Sequence, residues 1–186
     1  MSKKQIILIS LTILIVVFST YFFNKSEASN PIKKIASCRF GGKNRGLCNN
    51  NPGNIKKSSY NFKGRVSSTD ATFEQFDSME NGVLAIATLL SKNYIQKGYD
   101  TPKTIINRYA PSSENNTVKY INNLVKKLNE YDKYVTFQVV DENTKIVFDT
   151  ELFYLLIKAI VFLETSYTVT DSQLEYASSS SNKIYL

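Results

Sequence analysis

Apolar residues recur with the period of an α-helix along much of the chain. In the first such stretch, within 78–98, one face consists of residues spaced three and four apart: Val83, Ile86, Ala87, Leu90 and Tyr94. This spacing predicts an amphipathic helix that Gly98 ends. A second helix is predicted to start at Pro102, with Thr101 as its N-cap. A third, within 113–131, has the apolar face Val118, Ile121, Leu124, Val125 and Leu128.

The last helical stretch lacks a polar face. Its residues from Leu152 to Leu163 are apolar on almost every side, and only Lys158 interrupts them. A helix at a protein surface keeps a polar face, so this pattern predicts a buried central helix. The helix begins at a cap, Asp149 or Thr150, and ends in Glu164.

Two shorter regions have the alternation typical of strands. Segments 60–66 and 71–76 alternate apolar and polar residues on either side of a turn-prone Ser-Ser-Thr-Asp linker, which predicts a β-hairpin. Segment 134–148 predicts a second hairpin, or an extended crossing, around Asp141–Thr144. The predicted fold class is therefore mainly α (α+β), with one or two small β-hairpins.

An unbroken apolar run, Ile6 to Phe23, precedes these elements and follows two lysines. Its 18 residues carry no charge and are at the lower limit for a helix that spans the hydrocarbon. The lysines favour a cytoplasmic N-terminus, and hence a single-pass inner-membrane protein whose domain lies in the periplasm. The alternative is a signal peptide that is cleaved, so that the chain is secreted.

Four regions follow from this pattern. Residues 1–23 form the transmembrane anchor or signal peptide, and the polar stretch 24–36 is a linker. Residues 37–176 contain the predicted helices and hairpins and form the folded domain. The low-complexity end, 177–186, is predicted to be a flexible tail.

The chain of 186 residues has a formal net charge of +7 and contains no histidine. The lack of histidine excludes a Ser-His-Asp triad, a Cys/His nucleophile pair and a histidine-bound zinc site. We expect no metal and no cofactor. The positive charge suits an anionic polymer such as cell wall, or lipid headgroups. Nucleic acid is not expected as a partner, because the basic residues are scattered and the anchor directs the domain out of the cytoplasm.

Cys38 and Cys48 are the only cysteines in the sequence. In an exported chain, two thiols this close in sequence can close a loop by oxidation, so a Cys38–Cys48 disulfide is predicted. The alternative is a pair of free buried thiols.

Glu164 differs from the other acids because it ends the apolar helix. An acid in apolar surroundings, held by neighbouring polar groups, has the properties that general-acid catalysis needs. The alternative is that Glu164 simply ends the helix in solvent. Asp77 and Glu80 are expected to act as cap and dipole partners at a helix start, and Glu114 as a cap. Glu74 lies in the first predicted hairpin.

Four blocks of sequence, taken in order, resemble a family of phage virion and bacterial secretion-apparatus proteins. They are RGLCNNNPGNI at 45–55, FEQFDSMENGVLAIATLLSKNY at 73–94, TIINRYAPSSENNTVKYI at 104–121 and LLIKAIVFLE at 155–164. The family shares an Asn-Asn-Pro-Gly-Asn-Ile signature, an Ala-Pro-x-x-Glu-Asn-x-Thr block and an apolar helix that closes on a glutamate. It is regarded as acting on peptidoglycan, and the resemblance implies a lysozyme-like domain.

The stretch 50–64 is also similar to a loop of flagellar-type glucosaminidases that follows the helix of the catalytic glutamate. Here the helix of that character comes after the loop, which implies a lysozyme-like arrangement with the order of the catalytic helix rearranged. The chain departs from the family at 82–85, where Gly-Val-Leu-Ala replaces Gly-Ile-Arg-Ala and removes a charge from the expected cleft wall. It departs again at Thr165-Ser166, which replace Asn-Gly in the loop that positions the acid.

The resemblance implies cleavage of the glycan strands of peptidoglycan, with Glu164 as the catalytic general acid. The substrate-binding residues predicted with it are Asn50, Asn51, Asn54, Tyr109, Asn115 and Tyr120. Since no second carboxylate stands out, a lytic transglycosylase that serves a secretion, conjugation or phage-derived machine is favoured over a glycoside hydrolase. The alternatives are a non-catalytic peptidoglycan- or partner-binding module of a secretion apparatus, and a secreted muramidase effector.

The asparagines of the first block have two interpretations, which are compatible. Asparagine side chains bond to nearby backbone and tolerate left-handed conformations, while Pro52 fixes one dihedral and Gly53 permits a close approach. A rigid polar loop of this kind either floors a glycan cleft, with its amides facing N-acetyl and hydroxyl groups, or forms a structural corner held by its own hydrogen bonds.

Overall fold

Six α-helices account for about half of the structure over residues 44–132 and 139–182, the parts of the chain that this computed structural model describes. They are α1 (Arg45–Cys48), α2 (Met79–Thr88), α3 (Pro102–Tyr109), α4 (Thr117–Asp132), α5 (Glu151–Thr165) and α6 (Asp171–Asn182). A π-helical segment, Leu89–Tyr94, and a 3-10 turn, Ile95–Lys97, continue α2. The mainly α fold class is therefore confirmed.

The helix predicted within 78–98 is present, and its ends have the expected chemistry. Ser78 is the N-cap and accepts a hydrogen bond from the backbone N–H of Asn81. The carboxylate of Asp77 accepts another from the Asn81 amide at 2.7 Å, which lowers the pKa of Asp77. The predicted apolar face is buried throughout. Gly98 ends the helical run with a left-handed φ of 84°.

Helices α3 and α4 match the prediction except at one position. Thr101 caps α3 by accepting a hydrogen bond from the backbone of Thr104. The buried residues on the predicted face of α4 are Ile121, Leu124 and Leu128. The placement of Val118 on this face is wrong, since it is 69% exposed. Thr117, four residues before Ile121, takes the inward position in that turn instead and is 5% exposed.

Helix α5 is the buried central helix that the sequence predicts. Thr150 caps it by accepting a hydrogen bond from the backbone of Phe153. Its buried residues are Phe153, Leu155, Leu156, Ile157, Ala159, Ile160, Val161 and Thr165. It packs against α4, and α2 packs against α6. Lys158 interrupts the apolar surface only to reach α6, where its ammonium lies 2.9 Å from the Asp171 carboxylate.

Helix α6 includes residues that were predicted to belong to a flexible tail, which was expected to begin at residue 177. The helix continues to Asn182, and Ala177 within it is 1% exposed. Polar contacts fix α6 to the start of α2: the hydroxyl of Tyr176 donates to Asn81 at 2.9 Å, and the amide of Gln173 donates to Glu80 at 3.3 Å. The serine-rich composition concealed these contacts, because they depend on residues about 95 positions away in sequence. Residues 183–186 lie outside the described part.

The first predicted β-hairpin is not formed as regular strands in the described residues. Isolated antiparallel bridges join Lys56 to Phe73 and Arg65 to Phe76, so the segment 73–76 pairs with a different partner at each end. The carboxylate of Asp70 also accepts hydrogen bonds from the backbone N–H groups of Thr72 and Phe73. These N–H groups are therefore not available for hydrogen bonds between strands, and each of the two antiparallel pairings consists of a single bridge.

The second predicted hairpin is an irregular crossing over its described part, 139–148, and 133–138 lie outside the described residues. The backbone of Val140 bonds to a side chain instead of a strand: its N–H and C=O each pair with the amide of Asn129 in α4 at 2.8 Å. The N–H of Ile146 donates to the carbonyl of Asp100 at 2.7 Å. The crossing is thus tied to helices and loops on either side.

The membrane and cysteine predictions are tested only in part. No helix in the described ranges has the length and apolar character needed to cross a bilayer. The predicted span 6–23 and the linker 24–36 lie outside those ranges. Cys48 is disulfide-bonded. Its predicted partner, Cys38, also lies outside the described residues, so the pairing itself stays a prediction.

Candidate active site

Glu164 lies at the last turn of α5, where the apolar helix meets polar groups from two other parts of the chain. It is half-buried. Its Oε2 atom accepts a hydrogen bond from the side-chain amide of Asn54 at 2.9 Å, and its Oε1 atom accepts one from the hydroxyl of Tyr120 at 2.8 Å. The structure therefore brings together the predicted acid and two of the predicted substrate-binding residues.

Asn54 reaches Glu164 because the chain before it turns tightly. Asn50 and Asn54 both have left-handed φ angles, 49° and 48°, as the asparagine-rich sequence predicts. Gly46 in α1 leaves room for the Asn54 side chain, since a Cβ atom at Gly46 would lie 2.4 Å from the Asn54 Oδ1 atom. The loop is thus shaped to aim one amide at the acid.

Asn51 holds the loop from inside and does not face a cleft. It is fully buried, and its Oδ1 atom accepts a hydrogen bond from the backbone N–H of Ile55 at 2.9 Å. Its amide donates to the carbonyls of Ile55 and Glu74 at 2.9 and 3.0 Å. The prediction that Asn51 binds substrate is therefore wrong, since backbone groups use its polar atoms. For this residue the structural-corner interpretation holds.

Asn50 and Asn115 also lie away from the acid. The amide of Asn50 donates to the carbonyl of Phe76 at 2.8 Å, and its Oδ1 atom is buried without a hydrogen-bond partner in the described part. Asn115 is exposed, and its backbone N–H donates a hydrogen bond to the carbonyl of Pro111 at 3.1 Å. Neither side chain contacts Glu164 among the described residues, so their predicted substrate role gains no support.

The block around 110–117 places two tyrosines side by side. The hydroxyl of Thr117 donates to the carbonyl of Ala110 at 2.6 Å and so ties the start of α4 to the end of α3. Tyr109 and Tyr120 lie on either side of this hydrogen-bonded pair in sequence, and the centroids of their rings are 6.5 Å apart. The hydroxyl of Tyr109 donates to the carbonyl of Gly53, next to Asn54. Both tyrosines predicted for the site therefore lie at it.

The tyrosine hydroxyls stay protonated at any physiological pH. Burial, and then the negative charge of Glu164, raise the pKa of Tyr120 and of Tyr109 well above the usual tyrosine value. Because a protonated phenol is a donor, Tyr120 can hold the Glu164 carboxylate and Tyr109 can hold the loop carbonyl. The tyrosines act here as fixed donors.

Thr165, the first of the two residues that differ from the expected Asn-Gly, keeps the loop attached to α5. Thr165 is 4% exposed, and its hydroxyl lies 3.2 Å from the carbonyl of Pro52 and 3.0 Å from that of Val161. The side-chain amide of Asn44 donates to the carbonyl of Thr165. Ser166 is the C-cap and has a left-handed φ of 56°. The expected glycine would suit that conformation better than serine does.

We expect Ser166→Gly to stabilise the protein by about 0.5–1 kcal/mol, because a side chain in the left-handed region is strained and glycine is not. The midpoint of thermal unfolding measures the change. Ser179→Gly is the matched control, since Ser179 lies exposed within α6, where the same exchange should destabilise by about 0.5 kcal/mol. Equal effects of the two substitutions would contradict the assignment of strain to Ser166.

The competing acids have structural partners elsewhere. Glu74 is 3% exposed and accepts a hydrogen bond from the backbone of Ser58 at 2.9 Å. Glu114 pairs with Lys56 and does not form the cap expected of it. No cluster of three or more potential metal ligands occurs within 44–132 and 139–182. The other family departure also falls away from the acid, since Leu84 is 2% exposed in the core and not on a cleft wall.

Sequence reasoning identified Gly53 as permitting a close approach but missed Gly82, and it did not identify what either glycine approaches. A Cβ atom at Gly53 would lie 2.6 Å from a side-chain carbon of Ile86, and one at Gly82 would lie 1.8 Å from the carbonyl oxygen of Asn50. These glycines let the asparagine loop lie directly on α2. Both glycines lie in blocks that resemble the family, so the sequence marked their positions. The atoms that each glycine approaches could not be predicted from the sequence.

Comparison with known proteins gives one partial match. No protein-family model matches the sequence. Over 87 residues the chain is 39% identical to Protein P5 of Pseudoalteromonas phage PM2. The match covers 45% of this chain and 54% of the phage protein, so the chain spans about half the length of the relative it matches. The name Protein P5 states no activity, and the lysozyme-like resemblance stays a prediction.

Proposed function

We propose that this chain cleaves the glycan strands of peptidoglycan, with Glu164 as the general acid. One observation carries the proposal. The carboxylate that ends the apolar helix is held by Asn54 and by Tyr120, which are 110 and 44 residues away in sequence. Three of the four blocks that resemble the peptidoglycan-acting family supply these three residues, so the resemblance and the geometry converge on the same acid.

The proposed reaction is that of a lytic transglycosylase. The Glu164 carboxyl donates its proton to the glycosidic oxygen, and the bond from that oxygen to C1 of the sugar breaks. The 6-hydroxyl of the same sugar then attacks C1 and returns its proton to the Glu164 carboxylate. The product is a 1,6-anhydro sugar, and no water is consumed. Asn54 and Tyr120 keep the carboxyl in one place during both steps.

A mechanism with one acid suits the surroundings of Glu164 better than a mechanism with two. A glycoside hydrolase uses a second carboxylate about 5–9.5 Å from the acid. Glu74 and Glu114, two of the acids in the neighbouring blocks, are held by Ser58 and by Lys56 respectively. The groups found on the Glu164 carboxylate itself are an amide and a phenol, which can orient an acid but cannot replace a second carboxylate.

The products released from purified sacculi by the full chain test this proposal. Anhydro-muropeptides, each lighter by one water than the product of hydrolysis, are the expected result in liquid chromatography with mass spectrometry. Reducing-end muropeptides would support a muramidase instead. Release of neither, under conditions in which the protein is folded, would contradict the enzymatic proposal.

A binding module is the second candidate, and one observation favours it. Both carboxylate oxygens of Glu164 already accept a hydrogen bond from the protein, as those of a purely structural carboxylate also do. In that case the chain would hold peptidoglycan, or a partner of a secretion apparatus, without cutting. Co-sedimentation with sacculi that release no muropeptides would support this candidate.

The proposed place of action is the periplasmic side of the inner membrane, with residues 6–23 as the anchor. The net charge of +7 supports contact with the anionic wall and headgroups. Attachment would confine the activity to the vicinity of a secretion, conjugation or phage-derived machine. Digestion of the domain by protease added to spheroplasts, but not by protease confined to the cytoplasmic side, is the expected result.

We expect Tyr120→Phe to lower the rate of peptidoglycan cleavage about tenfold, because a hydrogen bond to a charged group contributes about 1.5–3 kcal/mol. The ring remains, so the packing of α4 should be kept. Tyr131→Phe in the same helix is the control, since Tyr131 contacts Lys127 and not Glu164. Rates from turbidity of sacculi measure both variants. Equal rates for Tyr120→Phe and wild type would show that this hydrogen bond does not orient the acid.

A further inference from the structure

A groove of about 760 Å³ lies outside the Glu164 site, since Glu164 does not line it. One wall is the segment 58–61, and the other includes Asn93, Tyr94 and Arg108. This volume is within the range of ligand sites, about 300–1,000 Å³. Its lining combines hydroxyls, amides and aromatic rings, which are the groups that bind sugars and peptides.

The charge in the groove has one sign. Among the described residues that line it, Arg108 is the only cation and there is no carboxylate. The guanidinium of Arg108 lies 4.8 Å from the ring centroid of Tyr99 and 5.7 Å from that of Tyr94. A guanidinium placed against aromatic faces still presents its N–H groups along its edges, where it binds a carboxylate with two parallel hydrogen bonds. The groove is therefore suited to an anion.

The wall opposite Arg108 is held in place before any ligand binds. The guanidinium of Arg65 donates to the carbonyl of Ser58 at 3.1 Å and to that of Tyr60 at 2.8 Å. The backbone N–H of Ser58 donates to the carboxylate of Glu74 at 2.9 Å. Buried Glu74 thus has a specific structural role, which is to fix this wall. A preformed wall loses little entropy on binding.

Both walls contain residues that are near, in sequence, to residues that surround Glu164. Segment 58–61 begins four residues after Asn54, and Arg108 directly precedes Tyr109. Tyr94, which lines the groove, interacts electrostatically with Tyr109. The groove is thus connected through these chain neighbours to the residues that surround Glu164.

We propose that this groove binds a carboxylate of the peptide stem that peptidoglycan carries on its muramic acid sugars, with Arg108 as the group that recognises it. The inference rests on the proposed function and defines its substrate as peptide-bearing glycan. In a strand that carries its stems the sugars are neutral, and the free carboxylates belong to the stems. A single cation in a groove without acids selects for them.

The experiment compares two probes that differ only in charge. One is a disaccharide–tetrapeptide purified from peptidoglycan, and the other is the same molecule with its carboxyl groups converted to amides. The dissociation constant of each is measured for the full chain, for Arg108→Gln and for Lys103→Gln. Lys103 lies in the same helix and pairs with Glu142 at 2.8 Å, so its loss controls for net charge.

We expect the wild type and Lys103→Gln to bind the carboxylate probe about 3- to 10-fold more tightly than the amidated probe. Arg108→Gln should bind both probes with the weaker affinity, and its thermal unfolding shows whether it is folded. Arg108→Lys should recover part of the preference, because it keeps the charge but not the planar fork. No preference in the wild type, or a preference that survives in folded Arg108→Gln, would overturn the inference. Cleavage of sacculi is scored separately: preference without cleavage would refute the enzyme and keep the subsite, and cleavage without preference would do the reverse.

Discussion

Replacement of Glu164 by glutamine should lower the rate of peptidoglycan cleavage by about 10²–10⁴-fold, the usual contribution of a positioned proton donor. Glutamine has the shape of glutamate but no transferable proton. The fold should survive, because the new carbonyl can accept from Asn54 while the new amide donates to the Tyr120 hydroxyl, which can also act as an acceptor. The rate of muropeptide release from sacculi is the measurement, and circular dichroism reports the fold.

The matched control for this variant is Glu151→Gln. Glu151 lies at the opposite end of the same helix, in its first turn, and is exposed. The exchange removes the same charge and should leave cleavage unchanged, with a loss of stability below about 1 kcal/mol from the helix dipole. If Glu164→Gln retained most of the wild-type rate, Glu164 would not be the acid and the enzymatic proposal would lose its main support.

Gly82→Ala should destabilise the protein by about 3 kcal/mol and also reduce cleavage. The added methyl group would lie 1.8 Å from the carbonyl oxygen of Asn50 and 2.8 Å from the ring of Pro52. The first of these is backbone and cannot rotate away, so the loop and α2 must separate. Overpacking of this kind typically costs about 1–3 kcal/mol, and the gain in helix propensity from alanine, about 1 kcal/mol, does not offset the clash and the lost loop contacts.

Gly98→Ala is the comparison that distinguishes the effect of a steric clash from the effect of backbone strain. No atom lies within 4 Å of a Cβ placed at Gly98, but its φ is 84°. The expected loss is therefore only the strain of a left-handed alanine, about 1 kcal/mol, with cleavage unaffected. Thermal unfolding and cleavage assays on both variants measure the difference. If Gly82→Ala proved as mild as Gly98→Ala, the loop would not depend on its close contact with α2.

The helices could be predicted from the sequence because their signals are local. Helix α5 is apolar on almost every side, and only a buried position makes such a surface stable, so the pattern determined both its type and its place. The capping residues Ser78 and Thr101 act within three residues of themselves. Such contacts leave a readable pattern, since the residues that make them are neighbours in the chain.

The predictions failed where particular side-chain contacts, some local and some distant, decide the structure. The first hairpin is interrupted because Asp70 takes two backbone donors that a ladder would need. The serine-rich end of α6 is helical because Tyr176 and Gln173 find partners at the start of α2. Periodicity and composition contain no information about either contact. The error at Val118 arose within a correctly predicted helix. Thr117 takes the inward position in that turn, and its hydroxyl bonds to the carbonyl of Ala110.

The candidate site was predictable as a set of blocks but not residue by residue. Glu164, Asn54 and Tyr120 meet as the resemblance implies, and Tyr109 lies beside them. Asn51 was assigned to substrate by the same reasoning, yet its polar atoms bond to backbone inside the loop. The sequence alone does not distinguish an asparagine that binds sugar from one that stabilises a turn. Only the direction of the side chain separates them.

Asn54 and Glu164 are 110 residues apart in sequence, and this separation affects when the site can form during synthesis of the protein. Synthesis proceeds from the N-terminus, so the asparagine loop emerges long before the acid that it holds. Closing so long a segment is slow in entropic terms and requires the intervening helices to fold first. A nascent chain that ends before Glu164 therefore has a loop but no acid. Any wall-cutting activity begins only when the central helix has docked, after most of the chain has left the ribosome.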